Sequence, residues 1–457
     1  MIVMKFGGSS LESAEALERV AGIVAARASR RPLVVVSAMG DTTDHLLAAG
    51  RDAVSGNLTG ALKQLDDLRA YHVRETRAVI SPETYADLDS FLDEHFRELG
   101  ELLRGFAILG EITPRSIDAI SSYGERLSSF VITLVLRRKG LESAHVDSRK
   151  VMVTNDRFTA AAPLFNETNQ LLQQHVRPLL AQGKVVCMGG FIASTRSGVT
   201  STLGRGGSDF TASIFGAGLG AEEIQIWTDV DGIMTADPSL LRGARRLRVL
   251  SFAEAAELAY FGARVLHPST LVPAIRESIP VRVLNSRRPE LEGTLIVAEN
   301  PPNRFTVKSI AYKEGITVVD VRSTRMLMAH GFLAKIFEVF NRYETPVDMV
   351  STSEVSVSLT IDRTDRLPDI TKELQQFAEV EATSGQVIVC VVGENLRHTP
   401  GIAGKLFKAL EDVNIRMISQ GASKLNVSFV IDESDLQKTV QALHQTLFSE
   451  IDQEVFA

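Results

Sequence analysis

Short apolar runs alternate with longer amphipathic segments over about the first 290 residues of the chain. The apolar runs that predict strands are Ile2–Phe6, Leu33–Ser37, Val185–Met188, Ile224–Thr228 and Val281–Leu284. Several of these runs are apolar at nearly every position, which is typical of parallel strands that are covered on both faces. Strands that are separated by helical segments predict an α/β sandwich with a mostly parallel sheet.

Residues 57–117 interrupt this alternation with helical, charge-rich sequence. Apolar side chains recur there at helical spacing, for example at Leu62, Leu65 and Leu68. The pattern predicts a helical excursion from the sheet, whose apolar faces serve packing and interfaces.

A polar, proline-containing turn at 299–303 predicts a domain boundary, and the chain repeats itself beyond it. The segment Gly331–Phe337 resembles Gly401–Phe407, and Val347–Ser351 resembles Ile415–Ser419. Each copy predicts a small ferredoxin-like module of βαββαβ order. Neither copy holds a nucleophile–base pair or clustered histidines and cysteines, which favours regulation over catalysis. The predicted domains are a catalytic domain at 1–298 and two regulatory modules at 305–384 and 385–457.

Composition narrows the class of protein. The chain has 457 residues, of which 44% are hydrophobic and 23% charged, as in ordinary globular proteins. A net charge of -7 without a long basic run argues against nucleic-acid binding. No apolar run reaches membrane-spanning length, and the N-terminus lacks a signal-peptide pattern. Cys187 and Cys390 sit in apolar runs and predict buried thiols, so we expect a cytoplasmic enzyme without a disulfide or zinc framework.

The stretch Thr202–Asp209 is the strongest candidate for a ligand site. It combines three glycines with Arg205, Ser208 and Asp209, and a helical pattern follows it. Ser208 and Asp209 are expected to cap that helix, and a helix N-terminus attracts anions. Arg205 adds a planar fork that suits a carboxylate or a phosphate. A plain glycine-rich turn with a capped helix explains this stretch equally well when it is taken alone.

A second glycine turn decides between these readings. The first apolar run ends in Lys5-Phe6-Gly7-Gly8, and a helical pattern follows from about Ala14 to Ala26. A strand, a lysine and a glycine turn before a helix predict a phosphate cradle. The P-loop pattern is absent from the chain. A further glycine-rich stretch, Gly216–Gly220, precedes a strand and predicts a helix C-cap instead of a dinucleotide fingerprint.

With these residues in view, the chain resembles the aspartate kinases of the amino-acid-kinase superfamily, followed by two ACT domains. The resemblance spans the whole chain. Its motifs are Lys5-Phe6-Gly7-Gly8, Ser37-Ala38-Met39-Gly40-Asp41-Thr42-Thr43, Gly124-Glu125, Thr154-Asn155-Asp156, Gly204-Arg205-Gly206-Gly207-Ser208-Asp209, Trp227-Thr228-Asp229-Val230-Asp231-Gly232 and Leu266-His267-Pro268.

The resemblance implies phosphoryl transfer from MgATP to the side-chain carboxylate of L-aspartate, giving 4-phospho-L-aspartate. This reaction is the entry step to lysine, threonine and methionine biosynthesis. It implies ATP and Mg²⁺ as cofactors and no metal held by protein side chains alone. Because a transferring phosphoryl group spreads charge over its oxygens, positioning and charge stabilisation are the main tasks of such a site.

The same resemblance assigns roles to individual residues. Lys5 and Asp209 are the catalytic pair, in which Asp209 orients Lys5 or the substrate ammonium. The implied aspartate-binding residues are Ser37, Thr43, Glu125, Arg205 and Ser208. The implied nucleotide-binding residues are Lys5, Gly7, Gly8, Ser9, Thr228, Asp229, Asp231, Met234, Asp237 and Arg264.

Some of these residues have a plainer structural reading. Ser37 and Thr43 could cap the next helix, and Asp231 precedes a glycine in a turn-like pair. The chain also departs from the usual family pattern at Ser9, at Gly189-Gly190 and at Arg264, where lysine is more usual. Arginine keeps the charge but changes its geometry.

The first ACT copy resembles that of lysine-sensitive aspartate kinases, which implies feedback inhibition by L-lysine. The implied effector-binding residues are Met326, Gly331, Phe332, Leu333, Val347, Asp348, Ser353 and Glu354. The N-terminus of a helix would hold the effector carboxylate, and Asp348 or Glu354 would hold its side-chain ammonium. Inhibition by threonine, or by both amino acids, stays open. The resemblance further implies a homodimer or a dimer of dimers.

Two other functions stay in view. One is a different amino-acid or carbamate kinase of the same fold, against which stand the paired ACT copies and the Glu125 and Arg205 pattern. The other is a catalytically silent amino-acid sensor, against which stands the presence of both Lys5 and Asp209.

Overall fold

The computed structural model describes residues 1–262, 268–300, 307–323, 330–449 and 455–456. The chain divides into two units by packing. Unit 1 comprises Met1–Ile233 and Val265–Glu299, and unit 2 comprises Met234–Arg264 and Asn300–Ala457. The predicted catalytic domain at 1–298 therefore contains an internal stretch, Met234–Arg264, that packs with the regulatory modules.

A seven-stranded arrangement in the order β3-β5-β2-β1-β8-β10-β11 forms the centre of unit 1. Every neighbouring pair in it is parallel except β10 and β11. A smaller sheet has the order β4-β6-β7. The strands of unit 1 are β1 Ile2–Phe6, β2 Pro32–Val36, β3 Ser143–His145, β4 Val153–Thr154, β5 Val185–Gly189, β6 Ile192–Thr195, β7 Thr200–Thr202, β8 Glu223–Thr228, β10 Val281–Asn285 and β11 Thr294–Val297. The predicted α/β fold with a mostly parallel sheet is confirmed.

Helices surround this sheet, and three of them build the predicted helical excursion. The helices of unit 1 are α1 Ala14–Ala25, α2 Thr42–Val54, α3 Leu58–Arg77, α4 Tyr85–Leu109, α5 Pro114–Ser121, α6 Tyr123–Arg138, α7 Phe165–Leu171, α8 Arg177–Ala181, α9 Gly207–Leu219 and α11 Val272–Arg276. Leu65 and Leu68 of α3 and Leu92 of α4 are buried in one core cluster with side chains of β1 and β2. The packing role of this excursion is therefore seen directly. No helix in the described parts of the chain is both long and apolar enough to cross a bilayer.

Unit 2 is built on a six-stranded antiparallel sheet in the order β13-β14-β12-β15-β17-β16. Its strands, together with the short strand β9, are β9 Val249–Ser251, β12 Val307–Arg322, β13 Val350–Thr352, β14 Ser356–Ile361, β15 Glu379–Gly393, β16 Met417–Gln420 and β17 Asn426–Asp432. Its helices are α10 Phe252–Tyr260, α12 Phe332–Arg342, α13 Leu367–Leu374, α14 Ile402–Ala409 and α15 Leu436–Leu447.

The two regulatory modules share their longest strands. Residues 316–322 of β12 pair with β14 and with the first part of β15, whereas residues 307–313 pair with residues 388–393. The pairing register between β12 and β15 shifts between Lys313 and Ile316, and this shift marks the boundary between the two modules. The strand that completes the second module thus precedes the first module in sequence. The structure therefore divides the modules differently from the predicted ranges 305–384 and 385–457, because an internal repeat reveals local similarity but not the pairing of distant strands.

Candidate active site

Lys5 lies near the carboxyl end of β1, a central strand with a parallel neighbour on each side. Its Nζ is 2.6 Å from Oδ1 of Asp209, in the first turn of α9. The side chains are only 11% and 14% exposed. A cation is thus fixed at the strand end where ligands of parallel sheets bind.

The glycine-rich turn before α9 differs from its predicted form in one respect. Gly204 and Gly206 adopt positive φ angles of 76° and 72°, so the chain turns sharply and α9 begins at Gly207. The N-cap is Gly206, and no side chain caps the helix. The prediction that Ser208 and Asp209 act as caps is therefore wrong. Both residues belong to the first turn, where Asp209 pairs with Lys5 and both residues line a cavity.

A cavity of about 310 Å³ opens at this point of unit 1. Six residues predicted for catalysis or substrate binding line it, namely Lys5, Ser37, Thr43, Glu125, Ser208 and Asp209. Arg205 lies between two lining glycines and is exposed to solvent, and it does not itself line the cavity. The N-cap of α2 is Asp41, and no side chain caps that helix either. The alternative reading of Ser37 and Thr43 as caps of α2 therefore finds no support.

Glu125 is the buried acid of the cavity. The residue is 4% exposed, and its Oε1 accepts a hydrogen bond from the backbone N–H of Ala38 at 3.2 Å. Its Oε2 is buried without a hydrogen-bond partner in the described structure. Burial raises the pKa of Glu125 to about 8, and the hydrogen bond and the charge of Lys5 only partly oppose this. An unsatisfied buried carboxylate calls for a cationic partner from the ligand.

Gly189 and Gly190 let the elements of the cavity approach one another. A Cβ atom on Gly189 would lie 2.9 Å from Cβ of Glu125, and one on Gly190 would lie 2.6 Å from Cβ of Ser208. Real Cβ atoms do not come this close. The departure from the family pattern at these positions therefore has a steric explanation in this chain.

Phe191 lines the same cavity and was not predicted. It has a positive φ of 63°, which is unusual for a bulky residue. A Cβ on Gly207 would lie 2.7 Å from its ring, so Phe191 packs closely on the start of α9. A strained backbone angle is set by surrounding packing and leaves no signal in sequence.

The first glycine turn also differs from its prediction. The N–H of Gly7 donates to the carbonyl of Trp227 at 3.1 Å and is therefore not available to a phosphate. Gly7 still adjoins Lys5, because a Cβ there would lie 3.7 Å from Nζ. Gly8 and Ser9 follow in a short 3-10 turn, Gly8–Ser10. Of the three residues predicted for phosphate binding in this turn, Gly8 and Ser9 therefore stay predictions, whereas the N–H of Gly7 is already used within the chain.

Three of the predicted nucleotide-binding residues lie at the end of β8 in unit 1, with Thr228 as its last residue and Asp229 and Asp231 after it. The hydroxyl of Thr228 donates to Oδ1 of Asp229 at 3.2 Å. Asp231 accepts a hydrogen bond from Asn285 at 2.7 Å and pairs with Arg288 at 2.6 Å. Asp231 therefore already holds the loop in place, whereas Asp229 is exposed.

The other predicted nucleotide-binding residues lie elsewhere. Met234 and Asp237 belong to unit 2, where Asp237 accepts hydrogen bonds from Ser239 and from the Tyr312 hydroxyl. These bonds give Asp237 a structural task in its turn. Arg264 lies outside the described residues.

The predicted effector residues that the structure describes belong to the first module of unit 2. Gly331 has a φ of 80° and forms the N-cap of α12. Phe332 is buried, and Leu333 is exposed. Met326 lies outside the described residues. The helix N-terminus therefore has the predicted form.

Asp348 already has a cationic partner within the chain. Its Oδ1 is 2.8 Å from Nζ of Lys313 and accepts a hydrogen bond from the Tyr260 hydroxyl at 2.9 Å. The same ammonium lies 2.8 Å from Oδ2 of Asp362. Although burial acts to lower it, the bonds to both aspartates raise the pKa of Lys313 above its ordinary value. Oδ2 of Asp348 remains buried without a hydrogen-bond partner in the described structure.

The remaining predicted effector residues are more open. Val347 is half-buried, and Glu354 is exposed. Ser353 is exposed and shares a hydrogen bond of 2.7 Å with the hydroxyl of Ser356. These contacts shape the turn between β13 and β14.

Comparison with known proteins identifies the class. The profile of the Amino acid kinase family matches residues 1–285, and an ACT domain profile matches residues 389–447. The chain belongs to the amino acid kinase family, and within it to the aspartokinases. Lysine-sensitive aspartokinase 3 of Escherichia coli is 37% identical over 98% of this chain and 99% of its own length. Aspartokinase 1, chloroplastic, of Arabidopsis thaliana is 38% identical over 98% of this chain and 80% of its own length.

Solved structures agree with this assignment. The structure of E. coli aspartokinase III in complex with aspartate and ADP, an R-state, matches with a TM-score of 0.85 and 36% identity. It covers 98% of this chain and 100% of its own. The T-state of that enzyme, in complex with lysine and aspartate, matches with a TM-score of 0.81 and 36% identity over 98% of this chain and 99% of its own. The chain is thus an ATP-dependent kinase by family.

Proposed function

We propose that this protein transfers the γ-phosphoryl group of MgATP to the side-chain carboxylate of L-aspartate, giving 4-phospho-L-aspartate. The reaction is the first step of lysine, threonine and methionine biosynthesis. The observation that carries the proposal is one cavity that joins the Lys5–Asp209 pair to the buried, partly unsatisfied carboxylate of Glu125. The related E. coli structure in complex with aspartate and ADP supports it.

The cavity offers a partner for each charge of aspartate. Oε2 of Glu125 accepts the substrate ammonium, which supplies the cation that this buried oxygen lacks. Arg205 at the glycine turn and the N-terminus of α9 bind the α-carboxylate. The hydroxyls of Ser37, Thr43 and Ser208 complete the binding, and all three line the cavity.

The chemical step needs charge stabilisation and no general base. A carboxylate with a pKa near ~4 is already ionised at neutral pH. Lys5 stabilises the negative charge on the phosphoryl oxygens during transfer, and Asp209 holds the ammonium in place at 2.6 Å. Mg²⁺ enters with the nucleotide as part of the substrate.

The nucleotide phosphates lie against Lys5, Gly8 and Ser9 in this proposal. Asp229, which is exposed after β8, and Thr228 contact the rest of the nucleotide. Three further nucleotide contacts, Asp231, Met234 and Asp237, together with Arg264, stay predictions from the family resemblance.

We further propose feedback inhibition by L-lysine at the first module of unit 2. The N-terminus of α12 binds the effector carboxylate, and Asp348 binds its ε-ammonium. Lys313 occupies Oδ1 of Asp348, so the effector competes with an internal ammonium or uses the free Oδ2. The related T-state structure in complex with lysine and aspartate supports this effector.

The assembly is proposed to be a homodimer or a dimer of dimers. Unit 2 exposes apolar side chains near its outer strands, including Val350, Val355 and Ile418. Burying such side chains against a second copy is favourable. The buried free thiols of Cys187 and Cys390 fit a reducing compartment such as the cytoplasm.

One assay tests both halves of the proposal. ADP release from MgATP is measured with L-aspartate, with and without millimolar L-lysine, and hydroxylamine traps the acyl phosphate. Aspartate-dependent turnover that lysine suppresses supports both halves. Turnover that ignores lysine contradicts the effector, and threonine is tested next. No aspartate-dependent turnover contradicts the substrate.

A further inference from the structure

We propose that Asp118, a buried carboxylate outside the cavity, is a positioning residue. It fixes the two sides of the substrate pocket relative to each other. This inference rests on the proposed aspartate kinase activity. Asp118 lies on α5 and is 0% exposed. It does not line the cavity and touches no predicted ligand-binding residue through its side chain in the described structure.

The carboxylate of Asp118 accepts hydrogen bonds from two separate segments, the turn at Thr159 and the end of β7 at Thr202. Oδ2 accepts the backbone N–H of Thr202 at 3.0 Å, and Oδ1 accepts the Thr202 hydroxyl at 2.6 Å. Both oxygens share the N–H of Thr159 at 3.0 Å. A carboxylate is an acceptor-only group, so it suits this set of donors better than any neutral side chain.

These donors control the start of the glycine turn. Thr202 is the last residue of β7, and Gly204 follows it with a positive φ. A Cβ on Gly204 would lie 2.9 Å from the carbonyl oxygen of Thr159, so the two segments that Asp118 joins are in close contact. Thr159 itself has a positive φ of 69°. Asp118 therefore fixes the path of the chain just before Ser208 and Asp209.

Asp118 is connected to the other side of the pocket, where Glu125 lies, through the backbone of α5 and α6. The N–H of Ser122 donates to the carbonyl of Asp118 at 3.1 Å, and the N–H of Arg126 donates to the carbonyl of Ser122 at 3.2 Å. The chain thus runs from α5 into α6 without a loop, and Glu125 is in the first turn of α6. A single buried side chain connects the ammonium-binding acid with the turn that carries Arg205.

The test compares Asp118→Asn with a matched control. Asparagine keeps the shape but turns an NH₂ group toward N–H donors. We expect KM for aspartate to rise by about tenfold or more and kcat to fall, since a misplacement of about 1 Å can cost about 100-fold. KM for ATP should change less than KM for aspartate, because the carboxylate of Asp118 bonds to Thr159 and Thr202 in the described structure and not to Gly8, Ser9 or the turn after β8. The control is Asp147→Asn, whose carboxylate accepts the N–H and the guanidinium of Arg149 elsewhere in unit 1.

A milder variant guards against loss of folding. Thr202→Val removes only the hydroxyl donor and keeps the backbone bond. Its effect on KM for aspartate should be smaller than that of Asp118→Asn. The effect should nearly disappear in the Asp118→Asn background, because both substitutions disrupt the same hydrogen bond between Thr202 and Asp118. Additive effects of the two changes would overturn the proposed contact.

Trypsin supplies a readout that needs no activity. Arg205 is exposed within the turn, so a looser turn is cleaved faster after Arg205 in full-length Asp118→Asn than in Asp147→Asn. Faster cleavage together with the raised KM supports the inference. Wild-type cleavage or a wild-type KM for aspartate overturns it. If the wild-type protein fails to phosphorylate aspartate, the proposed function is wrong, and the cleavage rate alone then decides whether Asp118 holds the turn.

Discussion

The ammonium of Lys5 lies 2.6 Å from Oδ1 of Asp209, so a strand end at the start of the chain is fixed by the first turn of a helix far along it. Both side chains are largely buried beside a cavity that exposes them to a ligand. In the proposed reaction Asp209 sets the position of this ammonium, and the ammonium acts on the phosphoryl group.

The first prediction concerns this pair. Lys5→Met should lower kcat by about 1,000-fold, in the range found when a preorganised charge or donor is removed from a transition state. Asp209→Asn should cause a smaller loss, because the charge stays while its orientation is relaxed. Steady-state ADP release measures both. The increase in Tm that added L-lysine causes should persist in both variants. Turnover of Lys5→Met within tenfold of wild type would refute the catalytic role of Lys5.

The second prediction follows from the pKa of Glu125, which burial raises to about 8. Below that pH the free enzyme carries a neutral Glu125, which must lose its proton before it can pair with the substrate ammonium. KM for aspartate should therefore fall by up to about tenfold per pH unit toward pH 8 and then level off. Glu125→Gln should raise KM and remove this dependence. A flat KM profile between pH 6 and 8.5 in the wild-type protein would contradict it.

The third prediction uses the same group as a measure of stability. A carboxyl group whose pKa is higher in the folded state contributes stability below its unfolded value, near 4.5, and loses it as pH rises through about 8. Glu125→Gln removes the cost of burying this charge. Its Tm should exceed that of the wild type at pH 9 and match it at pH 5. Thermal melts of both proteins at pH 5 and pH 9 measure this. An equal difference in Tm between variant and wild type at the two pH values would contradict the raised pKa of Glu125.

The fourth prediction tests the close approach at Gly190. Gly190→Ala would place a Cβ 2.6 Å from Cβ of Ser208, which forces the first turn of α9 away from the cavity. We expect KM for aspartate to rise by about tenfold or more and Tm to fall, as when a tight core is overpacked. Gly22→Ala is the control, since nothing lies within 4 Å of its Cβ on α1. That variant should keep wild-type KM and gain slightly in Tm.

The fifth prediction concerns the internal ammonium at the effector site. Lys313→Met frees the carboxylate of Asp348, so the concentration of L-lysine that halves activity should fall by about tenfold, equivalent to ~1.4 kcal/mol. Asp348→Asn should raise that concentration by a similar factor. Lys372→Met, at an exposed lysine of the same module, should change nothing. Inhibition curves over a range of lysine concentrations measure the three variants, and unchanged inhibition in Lys313→Met would exclude competition at Asp348.

Hydrophobic alternation was sufficient to predict the α/β class of unit 1 and the five central strands of its sheet. The runs around β1, β2, β5, β8 and β10 are short, apolar and separated by helices, and such sequences have few alternatives to a parallel sheet. The two glycine turns predicted residues that come together at one cavity for a related reason. Lysine, glycine and acidic residues at strand ends meet at one edge of a parallel sheet.

Contacts between distant segments were beyond the reach of the sequence. The hydrogen bond from Gly7 to Trp227 depends on a neighbouring strand, and the positive φ of Phe191 depends on packing against Gly207. The caps of α9 were mispredicted because serine and aspartate are good caps in general, whereas the local turn placed a glycine there. The sharing of β12 by two modules required knowledge of strand pairing that an internal repeat does not contain.

That shared strand has a consequence for how this chain can be dissected and how it arose. Residues 388–393 of β15 would expose an unpaired apolar edge in any fragment that starts at residue 385, because their partner strand at 307–313 would be missing. The first module is an insertion between two neighbouring strands of the second, so a simple tandem duplication does not describe the present order. A fragment that contains only the second module must therefore include residues 307–313. These residues must be joined to the rest of the module by a new linker, as in a circular permutant.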